Sequence, residues 1–300
     1  MKIKWGKKLI FSIFLIFFVI FVSCEQKVMQ ERIKPVNTGE VKLDTFKTLR
    51  VAVGAMVSPK STYEYYNELI AYLSQKLGYK YKFIQRKTYK QVNDLIQKNE
   101  VDIAFICSGA YKIASKSFDP PIICVPQMYG EPYYQSILIS PKNSKYNSID
   151  SLKDAIICYT DSLSNSGYMY INNYFKLKKI NPDTLFSKQI FTGGHDISIG
   201  MVQKNLVDVA PIDKLIYDYL AIEKPNLVSN IKIIHYSPKF GIPPIVASKK
   251  LDSNLFKRIQ EILLNMHNND TGRKILAKIH IDKFILGDKK NYENVPIFFK

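Results

Sequence analysis

The sequence predicts an α/β protein of two lobes, each a mixed, mostly parallel sheet flanked by helices, with two hinge crossings between them. Three observations carry the prediction. Apolar, β-branched runs alternate with segments of helical period from Leu49 onward, as in a sheet covered by helices. One element then recurs: Ile96-Gln97-Lys98-Asn99-Glu100-Val101-Asp102-Ile103-Ala104 matches Val202-Gln203-Lys204-Asn205-Leu206-Val207-Asp208-Val209-Ala210 almost residue for residue. A helix end, a tight turn and a buried strand are shared, which fits two α/β units built alike. Finally, extended runs at Pro132 to Ile139 and Gly241 to Ala247 flank the second copy and supply one crossing each. Lobe 1 is therefore assigned to 48–136 and 240–300, and lobe 2 to 137–239.

The elements follow in order. Leu49 to Ala55 is a buried strand, and Ser58-Pro59-Lys60-Ser61 is the turn after it. Ser61 and Glu64 have the spacing of a capping box. Tyr66, Leu69, Ile70, Leu73 and Leu77 then fall at helical spacing up to Gly78. Strands are expected at Tyr79 to Ile84 and Val101 to Cys107, with a helix from Thr88 to Gln97 between them. The body of lobe 2 runs from about Ile149 to Tyr236, and helices at Leu255 to Met266 and Gly272 to Ile279 come last.

The N-terminus carries an address. Lys2, Lys4, Lys7 and Lys8 precede the apolar stretch Leu9 to Val22, which is short for a membrane span, and Ser23-Cys24 follows. This resembles a bacterial lipoprotein signal over 1–23, with Cys24 as the lipidated first residue of the mature chain. Phe21 stands where Leu is usual and Ser23 where Gly or Ala is commoner; an uncleaved signal anchor is the other reading. Both put the body outside the cytoplasm. Residues 24–47 mix Glu, Lys, Pro, Asn, Thr and Gly without periodicity, as a tether to a lipid anchor would.

Composition narrows the function classes. The formal charge is +17, and removing the four N-terminal lysines leaves +13, carried almost entirely by scattered Lys. No basic run interleaved with aromatics suggests nucleic-acid binding; a mild attraction for anions is the weaker consequence. Besides Cys24 the cysteines are Cys107, Cys124 and Cys158, each in or beside an apolar run, so they are expected as buried thiols. No metal spacing, cofactor motif or Gly-x-Ser-x-Gly nucleophile occurs, so an enzyme is not expected. His195 and Asp196, as neighbours at a helix start, would point in different directions rather than form an acid/base pair.

The segment Asp161-Ser162-Leu163-Ser164-Asn165-Ser166-Gly167-Tyr168 leads from a strand at Ala155 to Thr160 into a helix with Tyr168, Ile171 and Phe175 on one face. Such a turn aims unpaired backbone N–H groups and the positive end of the helix dipole at one spot, where Ser hydroxyls add donors. One Ser capping the helix is the plain reading; an anion site is the functional one.

Four segments, in this order, resemble the phosphate/phosphite/phosphonate-binding proteins of ABC transporters, which have the type II periplasmic-binding-protein fold. They are Ser58-Pro59 with Thr62-Tyr63-x-Tyr65-Tyr66-x-x-Leu69, the Asp161-x-x-Ser164-x-Ser166-Gly167 turn, Gly194-His195-Asp196, and Val207-Asp208-x-Ala210. The resemblance implies ligand contacts from Ser164, Asn165 and Ser166, where Asn165 departs from the more usual Thr, and from His195, Asp213, Tyr89 and Tyr134. A carboxylate at Asp213 would select a protonated oxygen or a cationic substituent on the anion. Ser108 and Tyr111 could line the same cleft. With no Arg in these segments, fixed dipoles and hydroxyls would compensate the charge, which suits a small tetrahedral oxyanion.

The expected function is therefore that of a lipid-anchored, monomeric, extracytoplasmic solute-binding protein. It would capture a phosphorus oxyanion between its lobes and hand it to an ABC permease, without a cofactor. A binding protein that reports to a sensor kinase or chemoreceptor, and a ligand-free structural lipoprotein of the same fold, are the alternatives.

Overall fold

A computed structural model describes residues 47–297. The expected signal peptide over 1–23, Cys24 and the expected tether up to residue 46 lie outside the described residues.

The first strand, β1 (Thr48–Val53), leads into helix α1 (Pro59–Leu77). Ser58 is its N-cap and Pro59 fills the first turn, where a missing N–H costs nothing. The helix thus begins earlier than the expected capping box at Ser61, and Ser61 turns its hydroxyl to Asp196 instead. Gly78, at φ 72°, ends it: the Tyr79 N–H reaches back to the Ser74 carbonyl, closing a left-handed cap. Then come β2 (Lys80–Gln85), α2 (Tyr89–Gln97), β3 (Ile103–Phe105), α3 (Ser108–Ser117), β4 (Ile122–Gln127) and β5 (Tyr133–Tyr134). Thr88 and Gln91 form a reciprocal capping box at the start of α2.

The chain then builds a second group: β6 (Ser136–Pro141), β7 (Ile156–Tyr159), α4 (Tyr170–Leu177), α5 (Pro182–Leu185), β8 (Lys188–Phe191), α6 (His195–Gln203), β9 (Ala210–Asp213), α7 (Lys214–Glu223) and β10 (Ile231–Tyr236). It returns through β11 (Phe240–Gly241) and β12 (Ile245–Ala247), and adds α8 (Ser253–Leu264), α9 (Asp270–Lys278) and β13 (Lys283–Ile285).

Six strands form the first sheet, in the order β13-β4-β12-β3-β1-β2. Its β1, β2 and β3 are mutually parallel, while the returning β12 and β13 add antiparallel pairs. In the second lobe β7 runs parallel to β8 and bridges to β9, which pairs antiparallel with β6, and β6 with β10. Side chains alternate across each sheet: Leu49, Val51 and Val53 enter one core and Ala52 another, and Ile137 and Ile139 separate from Leu138 in the same way. The short ladder of β5 with β11, Phe240 opposite Tyr134, ties the two crossings together.

The repeated segment is one structural device used twice. Asn99 and Asn205 both take φ between 54° and 58°, turning helix into strand. The Asp102 carboxylate accepts the Arg50 N–H at the start of β1, and Asp208 accepts the Ile156 N–H at the start of β7, both at 2.7 Å.

Candidate functional site

The β7 strand delivers the Asp161–Gly167 turn to the boundary between the lobes. Residues Asn165–Met169 are already helical, in a wide π-type turn that continues into α4. Ser164 is the N-cap: its Oγ accepts the Gly167 N–H at 3.0 Å, leaving its own O–H to donate. The plain reading of this residue is therefore correct. The first-turn N–H groups of Asn165 and Ser166 have no intrahelical acceptor. Ser166 is fully buried and its Oγ has no hydrogen-bond partner, nor has the Asn165 Oδ1. Asn165 Nδ2 donates to Tyr134 Oη across the lobes at 3.1 Å.

Helix α6 brings His195, 1% exposed, to the same place. Its Nδ1 accepts the Asp213 N–H at 3.0 Å, so a neutral ring carries its proton on Nε2, a donor. Burial holds the ring neutral, lowering its pKa to about 3. Asp213 ends β9 and caps α7 by accepting the Leu215 N–H at 2.8 Å. Burial raises its carboxyl to about 7, only partly offset by that N–H.

From the first lobe, Tyr89 opens α2 with its phenol buried and without a partner. Burial raises its pKa well above the ordinary value, and the charges of Cys107, Asp161, Asp213 and Tyr134 add to the rise. Tyr134 stands in the same surroundings. Tyr89, Tyr134, Ser164, Asn165, Ser166, His195 and Asp213 are thus gathered at one interlobe locus. Ser108 stands within hydrogen-bonding reach of Tyr134 at this locus, and Tyr111 shares the cluster of Tyr89, Tyr134 and Cys107. The Ser108 hydroxyl is committed to the Gly241 carbonyl at 2.7 Å, holding α3 to the hinge. The Tyr111 ring packs edge-on against Tyr292, 4.6 Å between centroids, among apolar side chains.

Sequence reasoning missed three participants. Cys107, free and buried as expected, caps α3 at this locus; burial pushes its thiol up to about 11, against the backbone N–H groups of Asn165 and Gly109. Asp161 accepts the Tyr89 N–H at 3.1 Å from the other lobe, and Asp196 accepts the Ser58 N–H at 2.8 Å. The sequence offered no signal for these pairings beyond the Asp residues themselves. Asp196 and His195 do diverge, one to each lobe.

The locus thus combines N–H groups, hydroxyls and an imidazole as donors with the buried carboxyls of Asp161 and Asp213, an arrangement that can hold an anion. The family model described as the periplasmic substrate-binding protein of phosphonate ABC transporters matches residues 51–292. The phosphonates-binding periplasmic protein of Escherichia coli K12 is 25% identical over 212 residues, covering 69% of this chain and 62% of that protein. Among solved structures, a binding component of an ABC phosphonate transporter from Pseudomonas aeruginosa superposes with a TM-score of 0.77, 22% identity and 82% and 83% coverage of the two chains. A Prochlorococcus marinus (MIT 9301) binding protein in complex with methylphosphonate gives 0.75, 20% identity and 83% and 96% coverage. These likenesses establish the type II periplasmic-binding-protein fold.

Proposed function

Since this chain belongs to the family of periplasmic substrate-binding proteins of phosphonate ABC transporters, we propose that it is a lipid-anchored extracytoplasmic protein that captures a small phosphorus oxyanion and delivers it to a membrane permease. The ligand is a phosphonate, phosphite or phosphate. It is held by the Asn165 and Ser166 N–H groups, the Ser164 and Ser166 hydroxyls, Tyr89, Tyr134 and His195 Nε2, with Asp213 supplying or sharing a proton. Cys24 carries the lipid.

One observation carries this reading: the hydroxyls of Tyr89 and Ser166 are buried with no hydrogen-bond partner. An unsatisfied buried hydroxyl costs about 1–3 kcal/mol, so a protein keeps a pair at one locus when a ligand completes them. The test separates function from folding. Full-length protein is screened by thermal shift against phosphate, phosphite, methylphosphonate, 2-aminoethylphosphonate and sulfate. A ligand at a hundred times its Kd adds about 2.7 kcal/mol, a visible rise in melting temperature. Ser166→Ala and Tyr89→Phe should leave the ligand-free melting temperature unchanged or raised, yet weaken binding by about 10- to 100-fold, as expected for lost hydrogen bonds to an anion. Variants that lose stability and keep affinity would make these hydroxyls structural, and no response to any phosphorus anion would sink the ligand assignment.

A further inference from the structure

The end of the first sheet remote from the site collects positive charge. Strand β1 runs from Thr48 at this pole toward Met56, whose carbonyl accepts the His195 N–H, while α2 runs the other way, from Tyr89 at the site to its cap at Lys98. The ends of α1 and α2, the starts of β1, β2 and β3 and the turn after β12 therefore meet at one place. Bonds between them fix the arrangement. The Lys80 N–H donates to the Lys47 carbonyl, the Ser248 N–H to the Asp102 carbonyl, the Lys250 N–H to Asn99 Oδ1 and the Arg258 guanidinium to the Leu77 carbonyl. Residues 47–50, 76–80, 97–102 and 248–258 carry nine Lys and Arg against three Asp and Glu. Of those three, Asp102 pairs with Arg50 and Asp252 caps α8. Lys98, Lys249, Lys250 and Lys257 are exposed, and among the described residues none of them forms an ion pair. Helix dipoles account for Lys76 and Lys98, at the ends of α1 and α2. They do not account for Lys249 and Lys250, which stand before the start of α8, where a dipole disfavours cations.

We propose that this pole rests on an anionic lipid surface, that of the membrane holding the anchor, so that the cleft is turned away from the headgroups. The inference rests on the lipid-anchored reading above and adds the surface by which the body meets the membrane. Chain order puts the pole beside the anchor. The chain enters the body at Lys47, within the pole, and at most about 80 Å of fully extended chain separates Cys24 from Lys47. A body held so close meets the membrane at a high effective concentration, and a weak surface contact suffices. Charge complementarity supplies that contact: each Lys or Arg near an anionic bilayer strengthens binding about fivefold, the equivalent of ~1 kcal/mol, within a Debye length of about 8 Å. The corresponding end of the second lobe, with Lys188 at the start of β8 and Lys204 at the end of α6, repeats the device without a chain leading to the anchor.

Lysine footprinting of the full-length protein tests this without altering it. The protein is reconstituted from detergent into vesicles of phosphatidylcholine alone, or of phosphatidylcholine with about one-third phosphatidylglycerol, and acetylated with a water-soluble reagent. Mass spectrometry reads the rate at each lysine. On the anionic vesicles at low salt the rates at Lys98, Lys249 and Lys250 should fall about threefold or more relative to the neutral vesicles, while Lys188 and Lys204 are unchanged. Salt at about 0.5 M should abolish the difference. Lys249→Glu with Lys250→Glu should restore the rate at Lys98, whereas Lys188→Glu with Lys204→Glu should leave its protection intact. Equal rates on the two kinds of vesicle, or protection of Lys188 and Lys204 as strong as that of Lys98, overturns the membrane-facing pole and leaves the anchor reading intact. Protection by soluble polyglutamate but not by anionic vesicles overturns the lipid assignment in favour of an acidic protein partner. A protein that floats with neither kind of vesicle overturns the anchor reading as well.

Discussion

At the level of single residues, His195 and Asp213 are neighbours whose protonation burial drives toward neutrality from opposite sides. Folding lowers the His195 pKa to about 3 and raises that of Asp213 to about 7, against ordinary values of about 6.5 and 3.9. A lowered His pKa gives stability that is present above about pH 6.5 and lost as the pH falls toward 3. A raised carboxyl pKa gives stability that is full below about pH 3.9 and lost as the pH rises toward 7. Between about pH 4 and 6.5 the two slopes oppose each other and nearly cancel, because the unfolded chain protonates His and ionises Asp where the fold does the reverse. His195→Gln should therefore become less stable as the pH rises through this window, by up to about 1.4 kcal/mol per unit, and Asp213→Asn more stable by a similar amount. Urea unfolding midpoints at pH 4.5 and 6 measure both; slopes of the same sign in the two variants would refute the pairing. On the proposed reading the same carboxyl also acts on the ligand. A dianion bound beside Asp213 needs a proton between them, so affinity should fall above pH 7 by up to about tenfold per unit in the wild type, one proton being linked to binding. Titration calorimetry of Asp213→Asn should show that fall flattened.

At the level of elements, the site depends on how closely helix α3 meets the anion turn. A Cβ placed on Gly109 would stand 2.7 Å from both the Asn165 N and the Met169 Sδ, and would meet the Leu163 carbonyl as well. Backbone atoms cannot step aside as a side-chain tip can, so Gly109→Ala must push α3 and the turn apart. A cost of about 1–3 kcal/mol is expected from the overpacking, with ligand binding reduced by more than tenfold because the Asn165 N–H moves. Chemical denaturation and calorimetry read the two effects; an unperturbed variant would show that the approach is not fixed. This close approach also marks where sequence reasoning stopped. The strand-turn-helix at Ala155–Phe175 was legible because the periodicity changes from strand to helix at polar residues that can cap, all local properties. The Asn99/Asp102 and Asn205/Asp208 repeat was legible because it is one local device written twice. The Ser61 capping box was misplaced because Pro59 fixes the helix start three residues earlier, with Ser58 as the N-cap, and Cys107 was understood only as a buried thiol. The pairings of Asp161 with Tyr89 and Asp196 with Ser58 span 72 and 138 residues, and no local pattern reports them.

At the level of the whole molecule, those long-range pairings hold the lobes together around the site. Asp196 accepts the Ser58 N–H at the start of α1 and the Ser61 hydroxyl at 3.3 Å, and the His195 N–H beside it reaches the Met56 carbonyl. Gly194 makes room, since even a Cβ there would lie 3.2 Å from the Val57 carbonyl carbon. On the outer rim Tyr65 meets Tyr219 edge-on at 5.0 Å, and His280 joins Glu223 at 2.8 Å. All of these contacts run from one lobe to the other, and the Asp196 contacts use none of the proposed ligand donors. Removing them should therefore bias closure without altering the donors. A hydrogen bond to a carboxylate contributes about 1.5–3 kcal/mol when buried, and Asp196 is half-buried, so about 1.5 kcal/mol is the appropriate figure. That shifts the closed-to-open ratio about tenfold, and the apparent Kd of Asp196→Ala should weaken by up to the same factor, mostly through faster ligand release. Small-angle scattering should show the ligand-free variant more extended than the wild type and the saturated variant equally compact, because the ligand contacts are untouched. Were the ligand-free profile and the release rate both unchanged, closure would have to rest on the rim contacts of Tyr65 and His280 or on the ligand alone.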